Sequence, residues 1–232
     1  MKQIVIAISL FTLLVSISIG AKNIPIDQVP MYGGMDRSSI PELKKGDEEF
    51  ISHVTKHWGS RKAAARAWIE QGFVFHQKDE SEMAMRRFNQ AWLLDPDNPE
   101  VYWGFSSVLY DKGDNCGAMQ MGQKAEDAGI ETMNPPNQAM ILADIAMITT
   151  ICAVSEGSRQ SDRYNLVIRS DELFRKSESI WASAYLYDKW WQALYWRSEY
   201  AAAWEKVMMM RSKGKEPDEG NIQLLRMKMP EP

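Results

Sequence analysis

The chain has few of the residues that usually mark an active site. It contains only two cysteines and three histidines. It also has no nucleophile elbow, glycine-rich phosphate loop, CxxC pair or HExxH run. These absences exclude the enzyme classes that carry such signatures. We therefore predict that the protein is not an enzyme and binds no cofactor.

The histidines offer one metal-binding alternative. His53 and His57 are four residues apart, so a helix would place both on one face, with Glu49 one turn earlier. A third strong ligand is missing, and an ordinary polar helix face explains the same residues. We predict no metal site and keep metal-assisted catalysis by His53 and His57 as an alternative.

Basic residues are not in excess over acidic ones. The 27 Lys and Arg residues against 31 Asp and Glu residues give a net charge of −4, which lacks the electrostatic footprint of a nucleic-acid-binding protein. Alternation of polar and apolar residues with period two is almost absent, whereas apolar positions recur at helical spacing. The predicted fold class is therefore all-α.

The N-terminal residues 1–21 have the order of a secretory signal peptide. Lys2 is followed by an apolar run from Ile4 to Ile19 and by the small residues Gly20 and Ala21. The run is shorter than the roughly 20 apolar residues that a membrane-spanning helix needs. We expect cleavage, a periplasmic or secreted protein and no stable membrane insertion afterwards. An uncleaved N-terminal anchor is the alternative.

A helical domain is predicted to cover residues 46–232. The preceding residues 22–45 are expected to form an extended leader, because they contain helix-breaking residues at Pro25, Pro30, Gly33, Gly34 and Pro41. A first helix is predicted from about Gly46 to Trp58. A second is predicted to begin behind Ser60 and to end at about Gln77.

Residues 65–98 contain small and large residues in a distinctive order. The positions are Trp68, Gly72, Phe75, Ala84, Phe88, Ala91 and Pro96. Their spacing resembles the 34-residue pattern of the tetratricopeptide family, with Phe75 in place of its tyrosine and Gln71 in place of its leucine. The resemblance implies a right-handed superhelical array of antiparallel helix pairs, an α-solenoid.

The pattern continues into three further units, 99–132, 136–183 and 184–217. The second unit repeats the spacing with Tyr102, Phe105, Ser106, Leu109, Ala118, Gly122 and Ala125. The third departs from it by a polar insertion at 155–163 between two helices, expected at about 137–153 and 165–181. A terminal cap helix is predicted at 219–228, since the last repeat would otherwise expose its apolar face.

Cys116 and Cys152 are predicted to lie at the turn ends of neighbouring helix pairs. An exported protein is in a compartment that permits disulfides, and we expect these two residues to pair. Two separately buried thiols are the alternative.

The family resemblance implies that function lies on the concave surface formed by the first helix of each unit. The basic clamp with which some members of the family hold a peptide carboxylate is missing at the corresponding positions. The residues expected to contact a partner are instead aromatic and polar: Phe73, His76, Trp103, Tyr110, Asp188, Gln192, Tyr195 and Trp196. The aromatic residues among them are also compatible with packing in the core between units.

The predicted function is an exported protein-protein interaction module, an adaptor or scaffold that binds a protein or peptide in an aromatic-lined groove. The alternative is an inhibitory or immunity-type protein that blocks a specific toxin or hydrolase. The sequence indicates neither the identity of the partner nor the oligomeric state.

Overall fold

The computed structural model describes residues 36–155 and 160–232. The predicted signal peptide and most of the predicted leader lie outside these residues. The described residues form helices and contain no β-strand. A short 3-10 turn, Arg37–Ser39, precedes ten α-helices: α1 Pro41–Trp58, α2 Arg61–His76, α3 Ser81–Leu94, α4 Pro99–Asp111, α5 Asn115–Asp127, α6 Pro135–Val154, α7 Gln160–Ile180, α8 Ala184–Trp196, α9 Tyr200–Ser212 and α10 Glu219–Lys228. The all-α prediction is confirmed for this part of the chain.

Side chains at the helix N-termini determine where most of the helices begin. Six of these N-cap residues accept a hydrogen bond from a backbone N–H of the first turn: Ser60, Asn98, Asp114, Asn134, Ser183 and Asp218. Each such cap contributes about 1 kcal/mol to helix stability. This is why α2 and α10 lie where the sequence predicted them.

Consecutive helices pack as antiparallel pairs, α2 with α3, α4 with α5, α6 with α7 and α8 with α9. Each pair also contacts the next, through α3 and α4, α5 and α6, and α6 and α8. In the first pair, Gly72 faces the Phe88 ring so closely that a Cβ at this position would lie 2.5 Å from Phe88 Cε1. The glycine that the repeat pattern singled out is therefore needed for close helix packing.

The turns inside three of the four pairs have the same backbone geometry. One residue of each turn adopts a positive φ: Asp79 at 59°, Gly113 at 81° and Ser198 at 63°. Its N–H donates to the carbonyl oxygen three residues earlier, on His76, Tyr110 and Tyr195 respectively. The first, second and fourth pairs are therefore built alike, with glycine in only one of the three strained positions.

The core consists of two main clusters of buried side chains. One cluster lies among α2, α3, α4 and α5 around Phe88 and Phe105. The larger one lies among α6, α7, α8, α9 and α10 around Phe174, Trp191 and Trp204. Half-buried Tyr102 on α4 packs against both, so the two clusters meet at this helix.

The disulfide crosses the boundary between the two clusters. Cys116 at the beginning of α5 and Cys152 near the end of α6 are bonded, with their Cα atoms 4.9 Å apart. The predicted pairing is thus formed in the structure. It ties the second helix pair to the third.

Two predicted boundaries are wrong. The leader was expected to extend to residue 45, but α1 begins at Pro41, because proline is favourable at the first position of a helix and the residues after it form helices readily. The polar insertion was expected to last to residue 163, but α7 begins at Gln160. Residues 160–163 are polar because they lie on a partly exposed helix, so their polarity did not indicate a loop.

Helix α6 is long and apolar enough to cross a membrane by length and composition, and no other helix of the described residues is. Most of it is buried inside the protein, as expected for a helix at the centre of a hydrophobic core. Asp144 is its only charged residue.

Candidate functional site

The first helices of all four pairs contribute to one cavity of about 310 Å³, which we call the central cavity. Helix α2 and its C-cap residue supply Phe73, His76 and Gln77; α4 supplies Trp103, Ser107, Tyr110 and Asp111; α6 supplies Met140, Asp144, Met147 and Ile148; and α8 supplies Tyr185 and Lys189. Most of these residues recur at spacings of three or four within each helix, which places them on a single helix face.

Aromatic rings form the side of the cavity that belongs to α2 and α4. The centroids of the Phe73 and Trp103 rings are 4.7 Å apart at an angle of 50°. Phe73 also contacts the buried Phe88 edge-on at 5.0 Å. These contacts fix Phe73 and Trp103, at the cavity surface, to the core cluster around Phe88.

Asp144 joins the helices on both sides of the cavity. Its Oδ2 accepts a hydrogen bond from Trp103 Nε1 at 2.9 Å, and its Oδ1 accepts one from the Tyr185 hydroxyl at 2.6 Å. Lys189 Nζ lies 3.4 Å from Oδ1. The carboxylate, with a side chain only 13% exposed, is thereby compensated by three donors from α4 and α8.

Burial raises the pKa of the Tyr185 phenol well above its ordinary value, and the nearby Asp144 carboxylate raises it further. Burial also raises the pKa of Tyr110, although Lys189 acts in the opposite direction. Both phenols are therefore protonated at neutral pH. Tyr185 uses its proton for Asp144, whereas the Tyr110 hydroxyl has no hydrogen-bond partner among the described residues.

A pair of polar residues lies at the α2 and α4 end of the central cavity. His76 Nε2 is 2.7 Å from Asp111 Oδ2. Both side chains are partly exposed, at 26% and 39%. The contact joins the ends of α2 and α4 and uses only one oxygen of the Asp111 carboxylate.

A second cavity, of about 570 Å³, adjoins the first and shares Tyr110 and Asp111 with it. We call it the side cavity. Its other lining residues come from α5, from the end of α6 and from α8: Asn115, Ile151, Val154, Ser155 and Trp196. Asn115 and Ile151 are the sequence neighbours of the disulfide-bonded cysteines, so the disulfide holds two sides of this cavity together. We call the two adjoining cavities together the groove.

Five of the eight residues predicted to contact a partner line this groove. Phe73, His76, Trp103 and Tyr110 lie at the central cavity, and Trp196 lies at the side cavity. The structure brings them together through the register of the first helices. Trp103 serves both as a cavity residue and as a packing residue, because its indole binds Asp144.

Asp188, Gln192 and Tyr195 line neither cavity. Asp188 accepts hydrogen bonds from Trp191 Nε1 and from Gln192 Nε2, both on its own helix. Tyr195 packs against Trp196 and Tyr200. Asp188 and Gln192 follow Tyr185 by three and seven residues and therefore share its helix face, so their expected contact with a partner, like that of Tyr195, stays a prediction.

Sequence reasoning missed Asp144, Tyr185 and Lys189. A signal for the first was present: a lone carboxylate in a helix as apolar as α6 has to be paired when it is buried. Nothing in the sequence pattern identified Tyr185 or Lys189 as its partners, since they lie 41 residues or more further along the chain.

The histidines of α1 lie outside the groove. His53 and His57 are both exposed, and His57 contacts the ring of Trp58. Among the described residues, no group of three or more metal-ligating side chains is close enough together to hold an ion.

No protein-family model matches the chain, and no curated protein is similar to it.

Proposed function

We propose that the protein is an exported interaction module that holds a segment of a protein or peptide partner in the groove formed by the central and side cavities. One observation carries the proposal: the first helices of all four helix pairs contribute to a single aromatic-lined cavity. Aromatic side chains in such positions dominate the energetics of many interfaces.

The charges at the central cavity support binding of a partner more than chemistry on a substrate. Asp144 is engaged by Trp103, Tyr185 and Lys189, and Asp111 contacts His76. The groove offers a partner exposed ring surface and the Tyr110 hydroxyl, which has no hydrogen-bond partner among the described residues. These groups supply contact area and hydrogen bonds, so we propose a role other than catalysis.

Within this proposal the chain is a tetratricopeptide-type α-solenoid. The 34-residue spacing, the recurring turn at Asp79, Gly113 and Ser198, and the contact of Gly72 with Phe88 support that assignment. The contact of each helix pair with the next is the arrangement that a solenoid requires.

We propose that the protein acts in the periplasm or outside the cell. The sequence of residues 1–21 supports this location. The disulfide between Cys116 and Cys152 supports it as well, since structural disulfides persist in oxidising compartments.

The test is affinity capture from the native envelope and culture medium with the oxidised protein as bait, followed by mass spectrometry. The groove variant combines Tyr110→Ala with Trp196→Ala. Trp103 is left intact, because its removal would take a hydrogen-bond donor from Asp144. The control combines Trp58→Ala with Trp181→Ala, two tryptophans that are 45% and 48% exposed and line neither cavity.

The proposal predicts a partner that wild type and the control retain and that the groove variant loses. Circular dichroism and urea unfolding must show that both variants stay folded. Capture that is equally strong with the groove variant, or lost with the control as well, contradicts binding in the groove.

A further inference from the structure

The side cavity has the composition of a site for a cationic side chain. Asp111 is the only charged residue among the described residues that line it. The aromatic side chains of Tyr110 and Trp196 line it too, and Trp196 is 55% exposed. A carboxylate beside accessible aromatic rings attracts ammonium and guanidinium groups through its charge and through cation–π contacts.

Asp111 retains capacity for a further hydrogen-bond donor. Its contact with His76 uses Oδ2, whereas an ionised carboxylate can accept about four hydrogen bonds. Its side chain is 39% exposed. Among the described residues Asp111 Oδ1 has no hydrogen-bond partner, so an incoming cation can bind it without displacing His76.

The adjoining central cavity favours a different kind of side chain. Its most buried carboxylate, Asp144, is already paired with Lys189, and much of the remaining surface comes from Phe73, Trp103 and methionines. An apolar or aromatic side chain gains contact area there, whereas the ammonium group of Lys189 repels a second cation.

The two cavities share Tyr110 and Asp111, so they are near enough to bind neighbouring side chains of one segment. Asp111 places a carboxylate where the two cavities meet. Complementary charge both steers and selects a partner.

We infer that the groove selects a peptide segment in which a lysine or arginine lies close to an apolar residue, the basic side chain entering the side cavity and the apolar one the central cavity. This inference rests on the proposed function. It adds the chemical class of the partner segment.

The test begins with selection of random heptapeptides, displayed on phage, against the oxidised full-length protein. Peptides that survive selection are expected to be enriched in a basic residue within about three positions of an apolar one. Enrichment of acidic or uncharged peptides would overturn the inference while leaving groove binding intact. Failure to enrich any peptide would overturn the proposed peptide-binding function itself.

The selected peptides are then synthesised with blocked termini, and their affinities are measured by isothermal titration calorimetry. Asp111→Asn and Trp196→Ala are each expected to weaken binding about two- to fivefold, the magnitude of a cation–π or charge contact at a partly exposed site. Trp58→Ala is the matched control and should leave the affinity unchanged.

Replacing the basic residue of the peptide by norleucine should remove the effect of Asp111→Asn. Added salt should lower the affinity of the basic peptide more than that of the norleucine peptide, since salt screens exposed charges. If Asp111→Asn weakens the binding of the basic peptide and of the norleucine peptide equally, the assignment of the cation to the side cavity is contradicted.

Discussion

The two sides of the groove are held in place by different forces. On the α2 and α4 side, Phe73 and Trp103 are positioned by ring contacts and by close packing of helices around Phe88. On the α6 and α8 side, a partly buried carboxylate, Asp144, gathers Tyr185 and Lys189 around itself. The first side depends on small and large residues at fixed spacing, and the second on a polar network that satisfies a single charge.

This difference decides how each side can be disrupted. A substitution that changes the size or shape of a packed apolar side chain weakens the packing around it. A buried polar network loses more when one member is removed, because the remaining members are left without partners.

The largest effect is expected from removal of Asp144. Asp144→Ala should lower the free energy of unfolding by about 3 kcal/mol, since Lys189, Tyr185 and Trp103 then lose a common partner in a partly buried place. Urea unfolding monitored by circular dichroism measures this loss. Asp127→Ala, at an exposed carboxylate of α5, is the control and should change stability by less than about 0.5 kcal/mol.

The disulfide fastens the two sides of the groove to each other. The double variant Cys116→Ala, Cys152→Ala should lose about 2 to 4 kcal/mol, because the bond closes a loop with a sequence separation of 36 residues. The same loss is expected when the wild type is unfolded in the presence of a reductant. Equal stability of oxidised and reduced protein would mean that the bond does not constrain the unfolded chain.

One added methyl group is expected to disrupt the helix packing on the α2 and α4 side of the groove. Gly104→Ala would place a Cβ 2.3 Å from Phe88 Cε1, on a ring that is fully buried. We expect a loss of about 1 to 3 kcal/mol from overpacking. Gly220→Ala in the terminal helix has more room, with its nearest atom at 3.2 Å, and should be neutral or stabilising in the same urea titration.

These packing residues are also where the sequence was most informative. The spacing of Gly72, Phe88 and their neighbours identified the first two helix pairs, since only closely packed helices require a small residue at one position and a large one at the other. The N-cap residue Ser60 located the beginning of α2 correctly. Phe73, His76, Trp103 and Tyr110 followed from the same register.

The polar contacts on the α6 and α8 side of the groove could not be predicted from residue spacing. The pairing of Asp144 with Tyr185 and Lys189 depends on how α6 packs against α8, and helices α6 and α7 are longer than those of the regular units. The register that placed the fourth unit at 184–217 therefore did not identify Tyr185 and Lys189 as residues of the central cavity. Asp188, Gln192 and Tyr195 line neither cavity, and their contact with a partner stays a prediction.

The polar side of the groove is also expected to affect the stability of the protein at alkaline pH. The pKa of Tyr185 is raised in the folded state by burial and by Asp144, so the unfolded chain loses this proton first, near pH 10. Stability is thus fully retained below about pH 10 and falls above it, by at most about 1.4 kcal/mol per pH unit for this phenol.

Urea unfolding between pH 8 and 11 measures this dependence. Tyr185→Phe should reduce the slope above pH 10, whereas Tyr164→Phe, at a tyrosine that is 68% exposed, should leave the slope unchanged. An unchanged slope in Tyr185→Phe would contradict the link between the phenol and the Asp144 network.

Site-specific crosslinking to the captured partner tests the central claim most directly. A photoreactive amino acid is introduced in place of Ser107, which lines the central cavity, and separately in place of Val74, which is exposed on α2 and lines neither cavity. The partner should crosslink from position 107 and not from position 74. Crosslinking from position 74 without crosslinking from position 107 would contradict binding in the groove.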